Sequence, residues 1–237
     1  MITRSTFCAL AWLLACSCVT PTTTTTTTAS IKRGDVEAAY GYVEKRVHEE
    51  MERAHAEVVA VEIVDASGVR FAEVFGGDHV DHVDLNSRFR VGSLSKLMTS
   101  LTTLSLRDDG KLDLDEPVAA VLPWFSVRHR FETKPITPRL LMSHHAGMPS
   151  NILRGMYGDG SDKDAPQSFL DHVRMARDVD MVTPAGTMFS YSDLGFTVLG
   201  AVVESAGGAP FADVVDARVF KPLGLTRTTF HQTKDVI

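Results

Sequence analysis

The sequence predicts an α+β fold, on three observations. An amphipathic helix at residues 35–55 comes first, a β-hairpin at 57–75 follows, and a large helical region fills most of the rest. In the first helix Val36, Tyr40, Val43, Val47, Met51 and Ala54 recur at three- and four-residue steps, one apolar stripe on a 3.6-residue period. Asp35, just after Gly34, can cap its start. Residues 57–64 and 69–75 are β-branched and apolar, and Asp65-Ala66-Ser67-Gly68 between them is a hairpin turn. A polar loop over 76–86 carries Asp78-His79-x-Asp81-His82-x-Asp84, a spacing that suits a metal but is better explained as a solvated loop. A helix follows over 93–109, stopped by Gly110. Its Leu94, Leu97, Met98, Leu101, Leu104 and Leu106 occupy more than one face, so deep burial is expected. Further helices are expected at 166–177, 193–205 and 210–220, separated by loops rich in Pro, Gly, His and Ser.

Composition narrows the function classes. The chain has 237 residues, enough for one large domain or two small ones, with 44% hydrophobic and 23% charged residues, the balance of a soluble globular protein. A net charge of −6 argues against nucleic acid as a partner, because phosphates select basic surfaces. All 3 cysteines, Cys8, Cys16 and Cys18, lie near the start, so the body has neither a disulfide framework nor a thiolate metal site. Residues 1–15 have the layout of a secretory signal peptide: a basic start, then an apolar run too short to span a bilayer. Leu13-Leu14-Ala15-Cys16 resembles a bacterial lipobox, which implies that Cys16 becomes the lipid-modified N-terminus; an ordinary leader with incidental cysteines is the alternative. Residues 16–34, with threonines at 22–28, then form a tether from a membrane surface to a body at 35–237. The expected location is the cell envelope, across the inner membrane.

The chemistry centres on Ser93-Leu94-Ser95-Lys96. Three residues make about one helical turn, so Ser93 and Lys96 share a face. A serine hydroxyl needs a base beside it, and a lysine serves only if burial lowers its pKa. The Ser-x-x-Lys pattern alone is weak, since a serine cap followed by an exposed lysine gives the same letters.

The surroundings add weight. Phe89-Arg90-Val91-Gly92-Ser93-Leu94-Ser95-Lys96 resembles the nucleophile segment of the serine β-lactamase-related family, which includes class C β-lactamases, low-molecular-weight penicillin-binding proteins, D-amino-acid peptidases and esterases. Four more landmarks follow in family order: Gly110-Lys111-Leu112-Asp113-Leu114-Asp115-Glu116-Pro117-Val118, the stretch from Ile136 to Met148 with Leu140-Leu141-Met142-Ser143-His144-His145-Ala146-Gly147, Pro184-Ala185-Gly186 running to Tyr191-Ser192-Asp193, and Pro222-Leu223-Gly224-Leu225. The resemblance implies a β-lactamase/penicillin-binding-protein-like fold. It makes Ser93 the acylated nucleophile, with its backbone N–H as half of an oxyanion hole. It makes Lys96 the group that takes or relays the serine proton, and Tyr191 the second acid/base. Neither a cofactor nor a metal is implied, and the partner is a small-molecule or peptidoglycan-like substrate. Adjacent His144 and His145 should point apart and serve loop packing.

Two departures from the family pattern matter. Asp193 stands where the family usually has Asn; a carboxylate accepts but cannot donate, raises the pKa of a lysine it pairs with, and repels a substrate carboxylate. That weakens a β-lactamase or carboxypeptidase role more than an esterase role. The family's third motif, Lys/His-Thr/Ser-Gly, should come well after Tyr191, yet 44 residues follow Asp193 and none match. His145-Ala146-Gly147 has suitable letters but belongs to another landmark. The resemblance therefore predicts a partial domain lacking the C-terminal strands of its sheet. Three functions stay open: a cell-envelope serine hydrolase acting on an amide, lactam or ester; a non-catalytic penicillin or muropeptide binder; and an inactive truncated fragment. Oligomeric state is left open too.

Overall fold

In a computed structural model the chain divides into two compact units, Met1–Asp81 and His82–Ile237. The structure describes residues 32, 34–76, 83–150 and 168–231. The signal peptide, Cys16, the threonine tract and the aspartates and histidines at 78–82 lie outside the described residues.

In the first unit, α1 (Val36–Ala54) begins where Asp35 Oδ1 accepts the Ala38 N–H at 3.0 Å, and it ends at His55, which turns left-handed at φ 52°. Tyr40, Val43, Val47 and Met51 of the expected stripe are half-buried, while Val36 and Ala54 at its two ends are exposed. β1 (Val58–Asp65) and β2 (Gly68–Gly76) pair antiparallel, with Val59 opposite Phe75 and Ile63 opposite Phe71. The turn between them is held by Asp65 Oδ1, which accepts the Ser67 N–H at 2.7 Å. Tyr40 stacks on Phe71 at 5.1 Å, and His48 meets Phe75 edge-on at 5.4 Å, so the helix stripe packs against the hairpin. Among the described residues the sheet has these two strands alone.

The second unit is built around one helix. After a 3-10 turn at Gly92–Leu94 come α2 (Ser95–Asp108), α3 (Val118–Val121), α4 (Pro138–Met142), α5 (Phe169–Arg174), α6 (Asp193–Gly207) and α7 (Phe211–Val215). The last runs on into a turn of π-helix, Asp216–Phe220. α6 is apolar all round, and Leu194, Phe196, Val198, Leu199, Ala201, Val202 and Val203 are buried, so it is the core that the others cover. The sequence placed α2, α5 and α7 with boundaries a few residues long and α6 two residues short at its C-terminal end. It missed α3 and α4, whose single turns are too short to show a period. α4 is set instead by local chemistry: Thr137 Oγ1 accepts the Leu140 N–H at 3.3 Å, and Pro138 opens the helix. Arg139 then forks onto Asp115 through two 2.7 Å hydrogen bonds, tying two of the sequence landmarks together. No single helix among the described residues is long and apolar enough to cross a membrane.

One expectation fails at α2. Leu106 is fully buried, but Leu94, Leu97 and Leu101 are 69%, 57% and 38% exposed, and the face turned to the core carries Thr99, Thr102 and Thr103. The reason is local. Each threonine hydroxyl donates to the carbonyl four residues back, Ser95, Met98 and Thr99 in turn, so no hydroxyl is stranded. Small, satisfied side chains then let α2 lie close to α6. Counting leucines over every face concealed which face the threonines occupy.

Candidate active site

Ser93 sits in the 3-10 turn that leads into α2, exposed, one residue after Gly92. Gly92 has φ +53°, a left-handed conformation that a side chain disfavours, and it bends the chain into the turn. Lys96 lies one turn on, as the spacing requires, and its Nζ donates to Ser93 Oγ at 3.0 Å. The same Nζ donates to Asp193 Oδ1 at 2.5 Å, a salt bridge joining the start of α2 to the start of α6. Tyr191 Oη lies 2.8 Å from Ser93 Oγ, although 98 residues separate them in sequence. The fold thus brings together Ser93, Lys96, Tyr191 and Asp193, all four candidates within the described residues. Cys16, the fifth candidate, lies outside them.

The segment that carries Tyr191 is held from behind. Ser192 caps α6: its Oγ accepts the Gly195 N–H at 2.8 Å and donates to the Pro149 carbonyl at 2.6 Å. The Asp193 N–H donates to the Ser150 carbonyl at 2.8 Å. His144 binds both neighbours of Tyr191, its carbonyl accepting from Ser190 N–H at 2.8 Å and its Nδ1 from Ser192 N–H at 3.1 Å. The His144 ring lies 4.3 Å from the Tyr191 ring and 5.1 Å from that of Phe196. The loop holding His144 closes on Gly147, whose carbonyl accepts the Val182 N–H at 2.8 Å. A Cβ on Gly147 would fall 2.1 Å from the Thr183 carbonyl oxygen, so that approach needs glycine. His144 thus packs, as expected, in a loop, but against the segment that carries Tyr191, and sequence reasoning foresaw neither that contact nor Phe196 beside it. The available signal was the position of His144 three residues before a glycine, inside a stretch that already resembles a family landmark.

The electrostatic surroundings push Lys96 and Tyr191 in opposite directions. Burial works against charge on Lys96, but the hydrogen bond to Asp193 and the neighbouring Tyr191 outweigh it, and the ammonium is held above its ordinary pKa. The lowering by burial that a lysine base needs is thus opposed by Asp193, in the direction its departure from the family pattern led us to expect. Tyr191 moves the other way: Lys96 beside it, then the hydrogen bond with Ser93, pull the phenol below its ordinary value, against burial and Asp193. A phenolate beside a serine hydroxyl and an ammonium can take the serine proton as the oxygen attacks and return it to a leaving group. Among the described residues no cluster of His, Cys, Asp and Glu is arranged to hold a metal ion.

Comparison with known proteins bears on the family and the fold. The Beta-lactamase family model matches residues 43–236. Penicillin-binding protein 4 of Amycolatopsis lactamdurans is 34% identical over 143 residues, 60% of this chain and 36% of that protein. The chain spans well under half the length of such curated relatives. Among solved structures, the octameric penicillin-binding protein homologue from Pyrococcus abyssi superposes with a TM-score of 0.69 at 25% identity, over 83% of this chain and 47% of that one. EstCE1, a hydrolase with promiscuous acyltransferase activity, gives a TM-score of 0.65 at 26% identity, over 84% of this chain and 56% of that one.

Proposed function

The chain belongs to the Beta-lactamase family of serine hydrolases, and from that premise we propose that it is a cell-envelope hydrolase whose Ser93 forms an acyl-enzyme, with simple esters preferred over lactams and D-amino-acid peptides. The observation that carries this reading is the position of Ser93 Oγ, 3.0 Å from Lys96 Nζ and 2.8 Å from Tyr191 Oη. A nucleophile, a fixed cation and a phenol of lowered pKa meet at one oxygen. The ester preference rests on Asp193: its carboxylate neutralises Lys96, offers a substrate no donor, and repels the carboxylate that penicillins and D-amino-acid peptides carry. The chemistry is tested by treating the full chain with a fluorophosphonate and mapping the label by mass spectrometry. The label is expected on Ser93, the one serine so placed among the described residues, and p-nitrophenyl esters should release product with repeated turnover. A label on another serine would overturn the reading. A single burst without turnover would favour a non-catalytic binder instead.

The envelope location rests on Leu13-Leu14-Ala15-Cys16 and the threonines after it. Lipid on Cys16 would tether the body to a membrane surface. In fractionated cells the wild-type chain is expected with the membranes and Cys16→Ser in the soluble fraction. A wild-type chain already soluble and without lipid would dismiss the anchor.

A further inference from the structure

We propose that His144 is a positioning residue for Tyr191, holding the phenol over Ser93 only while its imidazole is neutral and protonated at Nε2, and that protonation at Nδ1 releases the phenol. The inference rests on the reading of Ser93 and Tyr191 given above, and it assigns that site a residue and a dependence on acid that the Ser-Lys-Tyr constellation does not contain.

The geometry is specific. Tyr191 reaches Ser93 through its phenol oxygen, and the peptide groups on both sides of it are fastened to the same residue. Ser190 N–H donates to the His144 carbonyl at 2.8 Å, and Ser192 N–H to His144 Nδ1 at 3.1 Å. The imidazole also lies against the phenol ring, centroids 4.3 Å apart and planes tilted by 33°, with Phe196 at 5.1 Å and the edge of Phe189 at 5.7 Å. A side chain and a carbonyl of one residue thus act as a two-point clamp on a three-residue segment. The clamp requires an unusual backbone: His144 has φ 58°, one of two non-glycine residues among those described with a positive φ. A non-glycine residue held in a sparsely populated conformation is where a functional constraint is to be looked for.

The clamp has one protonation state. Nδ1 accepts, so it carries no proton, and the neutral ring has its hydrogen on Nε2. Adding a proton turns the acceptor into a donor facing another donor. Ser192 cannot compensate with its hydroxyl, which is already engaged with Pro149 and Gly195. The charged groups around the ring are Lys96 from α2, Asp193 from α6, Tyr191 on the clamped segment and the adjacent His145. Burial, then Lys96, favour the neutral ring, Asp193 opposes, His145 adds a smaller push, and the balance lies below the ordinary histidine value. Neutral imidazole is therefore the state at physiological pH, and the clamp should fail only in acid.

Two variants separate clamp from filler. His144→Asn tolerates the left-handed backbone and can present a carboxamide oxygen near the Nδ1 position, but it does not titrate. His144→Leu fills space and accepts nothing. The rate of fluorophosphonate labelling at Ser93 is to be measured on the full chain from pH 4.5 to 9. For the wild type, the logarithm of the rate should fall with a slope steepening from one towards two below pH 6.5, as two protons now matter. His144→Asn should keep a rate within about threefold of wild type at pH 8 and hold a slope of one throughout. His144→Leu should be at least about tenfold slower at pH 8. A second step that persists in the Asn variant, or a Leu variant as fast as wild type, would overturn the proposal. The ionisation of Tyr191 is to be followed in parallel by carbon NMR of labelled tyrosine, assigned with Tyr191→Phe. Its resonance should show a second inflection below pH 6.5 in the wild type that the Asn variant lacks. If Ser93 takes no label at all, the hydrolase reading fails by itself and the NMR experiment still decides the clamp: no wild-type inflection, no clamp. Should the Leu variant not fold by circular dichroism, the wild-type and Asn profiles settle the matter alone.

Discussion

Tyr191→Phe is expected to slow acylation of Ser93 by roughly 10²–10⁴-fold, the range over which a positioned general base contributes, while leaving the fold intact. Two groups touch Ser93 Oγ, and either can be imagined taking its proton. Their surroundings push them in opposite directions, which favours Tyr191 as the base. Lys96 is tied to Asp193 at 2.5 Å and held as an ammonium, whereas Tyr191 is drawn towards phenolate by that same ammonium. As a phenol Tyr191 donates to Ser93; as a phenolate it accepts the Ser93 proton along the same 2.8 Å line. Phenylalanine keeps the ring against His144 and removes only that oxygen, so the melting temperature should hardly move. The pH profile carries the sign. Labelling should rise as pH climbs through the Tyr191 pKa, which lies below the ordinary 10.0 of a tyrosine. It should fall again once Lys96 loses its proton, above the ordinary 10.5 of a lysine. Both limbs belong to the coupled pair rather than to either residue alone. In Tyr191→Phe the rising limb should vanish. Labelling at the wild-type rate in that variant would transfer the base role back to Lys96.

What the sequence revealed of this site, and what it hid, follows the range of the forces involved. Ser93 and Lys96 are three residues apart, and helical geometry alone puts them on one face, so their pairing is legible in the spacing itself. The hairpin and the stripe of α1 are equally legible, because Asp65 to Gly68 and the Val36-to-Ala54 period are local patterns. The meeting of Tyr191 with Ser93 is not local. It was available only through the resemblance of Tyr191-Ser192-Asp193 to a known segment. His144 escaped for a related reason: its function lies in a carbonyl and a ring nitrogen aimed at backbone amides about 46–48 residues away, and no side-chain pattern advertises a backbone clamp. The outward leucines of α2 escaped because hydrophobic periodicity does not register threonines that satisfy themselves on their own helix. Asp193 was the informative departure. One residue out of pattern, it led to the expectation of a raised lysine pKa, and that is the direction the structure gives.

Lys96→Ala is expected to cost about 10²–10³ in the rate of Ser93 acylation, the range found when one charge-stabilising donor is removed from a catalytic site, and a second substitution should recover part of it. Lys96 donates to Ser93 and Asp193 and lies 4.8 Å from the centre of the Tyr191 ring. Its loss removes the cation that favours the phenolate and also leaves the Asp193 carboxylate facing the developing charge without its lysine. The first effect persists whatever stands at 193; the second disappears if the carboxylate does. Lys96→Ala/Asp193→Asn should therefore be faster than Lys96→Ala alone, by a coupling on the order of 1 kcal/mol, or about fivefold. With Lys96 present, Asp193→Asn has a different expected signature. The amide no longer raises the lysine pKa, so the falling limb of the pH profile should move to lower pH. The amide can also donate to a substrate and does not repel a carboxylate. Acylation by penicillin-type substrates should consequently rise more than acylation by simple esters. If the double variant is no faster than Lys96→Ala, Asp193 does not oppose the phenolate. If Asp193→Asn changes penicillins and esters equally, the carboxylate acts only through the charge of Lys96 and has no direct part in choosing the substrate.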